Sequence, residues 1–232
     1  MRKGENLYFP DVNLALEEPN GLLAMGGDLS PERLITAYRS GIFPWYSDDQ
    51  PILWWSPNPR AVLYPKAVHI SRSLRKTLRR GVYRLSLDTA FRQVIEACAQ
   101  PRREGVGTWI TADIVDAYCA LHEMGLAHSV EAWRGAELVG GLYGVAIGRV
   151  FYGESMFSRA TDASKTALVT LAQQLDEWGY AMIDCQVASA HVASLGSIDI
   201  DRTEFVGLLN KWCVVAGHPA PWRFNPDFPL AS

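Results

Sequence analysis

The chain has 232 residues, 48% of them hydrophobic, and a mean hydropathy near zero, enough for one large domain or a main domain with a smaller one attached. No apolar run approaches the roughly 20 residues that span a bilayer, and MRKGENLYFP lacks the apolar core of a secretory signal. Four cysteines (Cys98, Cys119, Cys185, Cys213) and five histidines show neither C-x-x-C nor metal-ligand spacing, so a cytoplasmic, metal-free protein is expected; a monomer without a cofactor is the further expectation, which this spacing does not itself supply.

In chain order, EPNGLLAMGGDLS gives an Asn-Gly turn, a short apolar run and a Gly-Gly-Asp loop. Ser30 and Pro31 then open a helix with Leu34, Ile35 and Tyr38 inward, closed by Gly41. GIFPWYSDDQPILWWSPNPR crowds Phe43, Trp45, Tyr46, Trp54 and Trp55 together. Trp54 and Trp55 read as structural and Trp45 as exposed to ligand, since an aromatic face can stack a nucleobase.

From Arg60 the pattern turns αβ. AVLYP is a short strand, Ser71 to Arg80 a helix with Leu74 and Leu78 inward, and YRLSLD a second strand. Residues 60–103 carry eleven Lys and Arg against Asp88 and Glu96, so this segment stands at +9 and the remainder at −12. Arg72, Arg75, Lys76, Arg79 and Arg80 fall within one helix, which suggests a polyanion site rather than an ordinary solvated face. Asp88 reads as the cap of a helix packed by Phe91, Val94, Ile95 and Cys98. Arg102 to Gly107 reads as a mobile charged loop. Thr111 then opens a helix with Ile114, Ala117, Tyr118, Leu121 and Met124 inward, ended by Gly125.

The stretch from Leu138 to Val187 organises the rest. It parses as a strand to Ile147, a turn at Gly148-Arg149, a strand from Val150 to Phe157, a helix on Leu168, Leu171, Ala172, Leu175 and Trp178, and a strand from Tyr180. Period two in that last strand sets Asp184 and Gln186 side by side and turns Cys185 to the opposite face, against a thiol nucleophile. Glu154 reads as sharing a face with Tyr152 and Met156. Two carboxylates and an amide in so apolar a unit are costly to bury without partners. His191 to Ser197 reads as a loop, DRTEFVGLLNKW as a last helix and HPAPWRFNPDFPLAS as a draped or loose tail.

EPNGLLAMGGDLS, GIFPWY, PILWWSPNPR, GTWI, LVGGLYGV, GESMFS, ASKTAL, DCQV and ASLG, in this order, resemble the bacterial leucyl/phenylalanyl-tRNA–protein transferases over nearly the whole chain. The order of elements is that of an α+β, acetyltransferase-like (GNAT-like) fold over residues 61–232, preceded by a small α+β subdomain over 1–60. The resemblance implies transfer of Leu or Phe from aminoacyl-tRNA to the N-terminal amine of proteins beginning with Arg or Lys, which marks them for degradation by the N-end rule. It implies Asp184 and Gln186 as the catalytic pair and Glu154 as the acid facing the cationic N-terminal residue. Leu142, Phe151, Met156 and Ile183 would form the side-chain pocket. Trp45 and Trp109 would hold the terminal adenosine, with Tyr38 and Tyr118 beside them, and Arg72 to Arg80 would engage tRNA phosphates. Leu142 stands where Met is frequent in such proteins, and Ala188 to Ala190 depart from the usual pattern. A CoA-dependent N-acetyltransferase of the same fold would want a glycine-rich turn before the 163–178 helix, where this chain has Ser158 to Asp162. A non-catalytic RNA-binding module would leave Glu154, Asp184 and Gln186 without a task.

Overall fold

A computed structural model describes residues 7–100 and 109–225. The Arg102–Gly107 loop and the last residues of the tail lie outside them. Three short strands, β1 (Leu22–Met25), β2 (Phe43–Pro44) and β3 (Leu53–Trp55), form an antiparallel sheet in the order β1-β3-β2 around helix α1 (Pro31–Arg39). The rest follows as β4 (Arg60–Leu63), α2 (Arg72–Arg79), β5 (Arg84–Leu87), α3 (Phe91–Cys98), α4 (Ala112–Glu123), β6 (Ala127–Arg134), β7 (Glu137–Ile147), β8 (Val150–Ser158), α5 (Ala163–Glu177), β9 (Met182–Gln186), α6 (Ala190–Ala193), β10 (Ile198–Ile200) and α7 (Arg202–Trp212). The large sheet runs β10-β4-β9-β8-β7-β6-β5, and its pairs are antiparallel except for the parallel β8 and β9.

The sheet is covered on both faces. One face buries Tyr143, Val145, Tyr152 and Met182 against α1, α3, α4 and α7. The other buries Leu142, Ala146, Phe151 and Ile183 against α2, α5 and the tail. A strand buried on both sides loses the alternation of apolar and polar residues, which is why β7 reads as a nearly unbroken apolar run. Gly140 lets α5 close on β7, since a Cβ there would lie 2.6 Å from the Ala163 Cβ.

Several expectations need correction. Asp88 does not cap α3, whose N-cap is Ala90. With φ of +54° it turns back instead, its carboxylate accepting from the backbone N–H groups of Ser129 and Trp222 and bonding the His128 ring at 2.8 Å. The tail is packed as far as it is described: Trp222 is 1% exposed and its ring stacks on His128 at 3.6 Å between centroids. Met124 is exposed, because α4 ends at Glu123 with Met124 as its C-cap and Gly125, at positive φ, carries the chain away. The segment expected as a loop after β9 contains α6, capped by the Ser189 hydroxyl, and β10 adds an edge strand to β4.

Candidate active site

The parallel ladder between β8 and β9 stops early. Its last pair is Tyr152 with Asp184, after which β8 continues to Ser158 and β9 turns away at Gln186. The opening left between the two strands is a cavity of about 440 Å³, within the size range of small-ligand sites. Leu142, Phe151, Met156, Leu168 and Ile183 make an apolar wall, while Glu154 and Gln186 stand at the mouth with Trp109. Ser189, the N-cap of α6, and His191 and Val192 within it also line the cavity.

A bulge places Glu154. β7 pairs Gly144 with Gly153 and then Tyr143 with Ser155, so Glu154 has no partner of its own in β7. The extra residue reverses the alternation. Tyr152 points to the α1 and α4 side, while Met156, opposite Leu142, points to the α5 side and into the cavity wall. The expectation that Tyr152, Glu154 and Met156 share one face fails for this reason.

Glu154 is 8% exposed and saturated with donors. Tyr38 donates to its Oε1 at 2.7 Å, Gln186 Nε2 to the same oxygen at 2.9 Å, and Tyr118 to Oε2 at 3.1 Å. The two tyrosine hydroxyls also touch each other. Burial pushes the carboxyl up to about 7, the hydrogen bonds from Tyr38, Tyr118 and Gln186 hold it back, and the nearby Asp184 charge adds to the rise. Burial and the Glu154 charge raise both tyrosines well above their ordinary value, so they remain protonated donors. Tyr38 and Tyr118 are fully buried and do not line the cavity; what their hydroxyls reach is the Glu154 carboxylate.

Asp184 is likewise absent from the cavity wall and 0% exposed. Its Oδ1 accepts from Arg60 Nε at 2.9 Å and from the Gln186 backbone N–H at 2.9 Å, and its Oδ2 accepts from Arg60 Nη2 at 2.7 Å. Gln186, two residues on, does reach the cavity. Its Nε2 donates to Glu154, so the amide is oriented with its nitrogen toward that carboxylate. Cys185 faces away from Asp184 as the alternation requires, but that is the side of the cavity wall. Burial pushes its thiol to about 12, so the thiolate a nucleophile needs is not available.

All four expected pocket residues, Leu142, Phe151, Met156 and Ile183, line the cavity, and so does Trp109. Trp45 does not. Its ring is 45% exposed and tilted against Trp55 at 5.7 Å, while Trp54 is buried. Leu168 was legible only as core, because a helix stripe does not say which turn faces a void. Arg60 was legible only as one cation of a basic block. Arg72, Arg75, Lys76, Arg79 and Arg80 together line an open basic depression on α2, all five exposed, with Leu74 and Leu78 buried beneath them. No helix among the described residues is long and apolar enough to cross a membrane, and no group of three or more His, Cys, Asp or Glu among them could hold a metal ion.

The family model described as leucyl/phenylalanyl-tRNA protein transferase matches residues 62–210, and that of the N-terminal domain of the same protein matches 27–58. A Nitrosomonas europaea protein named leucyl/phenylalanyl-tRNA–protein transferase is 58% identical over 224 residues, 97% of this chain and 95% of its own. A Methylococcus capsulatus protein of the same name is 58% identical over 225 residues, 97% of this chain and 96% of its own. Among solved structures, L-PGS from Bacillus licheniformis is 13% identical with a TM-score of 0.40, covering 69% of this chain and 52% of that one, too distant to bear on fold or activity. With identity of this degree spread over nearly the whole length, the chain belongs to the leucyl/phenylalanyl-tRNA–protein transferase family and is an aminoacyltransferase.

Proposed function

We propose that the cavity between β8 and β9 receives the aminoacyl end of leucyl- or phenylalanyl-tRNA, and that the residues at its mouth pass the amino acid to the N-terminal amine of a protein beginning with Arg or Lys. The observation that carries this reading is the meeting of an apolar pocket and a Glu154–Gln186 pair at one opening. Leu142, Phe151, Met156, Leu168 and Ile183 suit a branched or aromatic side chain, and Met156 adapts its shape to either.

The reaction is aminolysis of an ester. The amine nitrogen bonds to the carbonyl carbon, the bond to the terminal ribose oxygen breaks, the amine loses a proton and the ribose oxygen gains one. An α-amine with pKa about 7.7–8.0 is partly neutral near pH 7, so positioning supplies much of the acceleration. The Gln186 carbonyl accepts a hydrogen bond from the incoming amine. Glu154, held at about 7, has the proton affinity to take up the released proton. In its ionised form the same carboxylate attracts a cationic N-terminal residue. Trp109 offers a face for the terminal adenosine, and the α2 cations engage phosphates without reading sequence. Trp45 could join Trp109 only if it turned from Trp55.

An acetyltransferase-like (GNAT-like) core over 61–232 with a small unit over 1–60 is supported by the separate three-stranded sheet and by the lone parallel pair where the large sheet opens. CoA chemistry is disfavoured at the same place. The N-terminus of α5 carries Asp162 and no glycine, which repels the pyrophosphate that a glycine-rich turn would bind.

The test uses purified protein, radiolabelled leucyl-tRNA and peptides differing only in an N-terminal Arg or Ala. Label on the Arg peptide alone is expected. Tight tRNA binding with no label on either peptide would leave an RNA-binding module.

A further inference from the structure

Arg60 is 1% exposed, yet it carries a full charge into the core. Its Nε and Nη2 grip both oxygens of Asp184, its Nη1 donates to the Gly41 carbonyl at 3.0 Å, and its guanidinium lies 4.8 Å from the Phe43 ring centre and 4.6 Å from that of Phe205. A buried ion pair is a poor way to gain stability, since desolvation of the two ions cancels much of their attraction. A different return is visible two residues along. Gln186 is a non-glycine residue with φ of +63°, a left-handed conformation that persists only where neighbours enforce it. The bond from its backbone N–H to Asp184 Oδ1 closes that turn, and the turn brings the Gln186 amide to Glu154. The β4–β9 pairing shifts register between Ala61 with Gln186 and Val62 with Asp184, so Cys185 is the extra residue and Gln186 pairs with the neighbour of Arg60.

We propose that Arg60 is a positioning residue for the transfer reaction: its two-pronged grip on Asp184 holds the left-handed turn that delivers the Gln186 amide to Glu154. Arg60 and Asp184 touch no substrate; they fix where Gln186 points. This rests on the reading of the cavity as the transfer site.

Lysine keeps the charge but not the planar fork. In Arg60→Lys, kcat for leucyl transfer falls about tenfold or more while KM for leucyl-tRNA changes by less than about threefold. Exchange of the Gln186 backbone N–H, followed by NMR, speeds up by about tenfold relative to neighbouring β9 amides. A variant with kcat and Gln186 exchange both as in the wild type overturns the proposal, as does a fall in kcat explained by the unfolded fraction alone. The double variant Arg60→Met/Asp184→Leu removes both buried charges at once, a change that proteins often tolerate without loss of stability. A native melting temperature with transfer lost supports positioning, and transfer within about threefold of wild type makes the pair purely structural. Wild-type protein that transferred nothing would sink the reading of the cavity, and the Gln186 exchange rate would still test the grip of Arg60.

Discussion

Glu154 and Gln186, 32 residues apart in sequence, meet through a 2.9 Å hydrogen bond in which the amide donates and the carboxylate accepts. That contact joins a bulge in one strand to a left-handed turn in its parallel neighbour, and it tempers the rise that burial gives the Glu154 carboxyl.

The first consequence is a pH dependence of stability. The Glu154 carboxyl is raised from 4.5 to about 7, so between these values the folded state holds a proton that the unfolded chain has released. Stability from this group is therefore full below about pH 4.5 and lost as pH rises through 7, a fall of about 3 kcal/mol at 1.36 kcal/mol per unit. Urea midpoints at pH 5 and pH 7.5 should differ less in Glu154→Gln than in wild type. Equal differences in the two proteins would mean that Glu154 titrates like an exposed carboxyl.

Catalysis should follow the same group in the opposite sense. The ionised form, which accepts a proton, grows as pH passes 7, so kcat should rise across that range and flatten above it. In Glu154→Gln that limb should disappear, with kcat lowered by about 10²–10⁴-fold. A stopped assay across pH 5.5–8.5, on the order of three units about the midpoint, measures it.

The apolar wall should set the donor. Leu168→Trp places a larger ring in the cavity, and phenylalanyl transfer should drop more than leucyl transfer, by about 1–3 kcal/mol in the ratio of kcat/KM values. The comparison needs both charged tRNAs in one preparation. Equal losses would place the donor side chain elsewhere.

The basic depression on α2 should act through charge alone. Arg75→Ala and Arg79→Ala leave Leu74 and Leu78 in place, so the fold should persist. tRNA affinity should fall, and the slope of log K against log salt should shrink by roughly 0.7–0.9 for each phosphate contact removed. Filter binding at four or so salt concentrations is enough to read that slope.

Trp222 should prove structural. It is stacked on His128, sits against Phe151, Trp178 and Tyr180, and gives its backbone N–H to Asp88. Trp222→Ala should cost about 3–5 kcal/mol, visible as a lower melting temperature.

Much of this was legible before the fold was known, because β7, β8, α5 and β9 follow one another with clear periods and tight turns. The pocket residues Leu142, Phe151, Met156 and Ile183 came from the resemblance to the transferase family, because period two alone could only read them as core. What escaped depended on contacts between distant segments. The side chain of Asp88 was drawn off by Ser129 and Trp222, more than 40 and 130 residues away in effect, which no local capping rule foresees. Nothing in the spacing of Tyr38 and Tyr118 marked that both hydroxyls would meet on the Glu154 carboxylate. β10 is three residues long, and only β4 gives it a reason to be a strand. The bulge at Glu154 was invisible because period two counts residues and cannot tell when one has been skipped.

That skipped residue has an arithmetic of its own. Gly153 already faces Gly144 and Ser155 already faces Tyr143, so a chain with Glu154 deleted could run the same ladder without interruption. Every other residue of β8 would keep its partner, and the cavity wall would keep Met156. The β7–β8 ladder has no need of Glu154; what would lose their acceptor are the Tyr38 and Tyr118 hydroxyls and the Gln186 amide, so a one-residue deletion there would keep the sheet and empty the polar cluster built around that carboxylate.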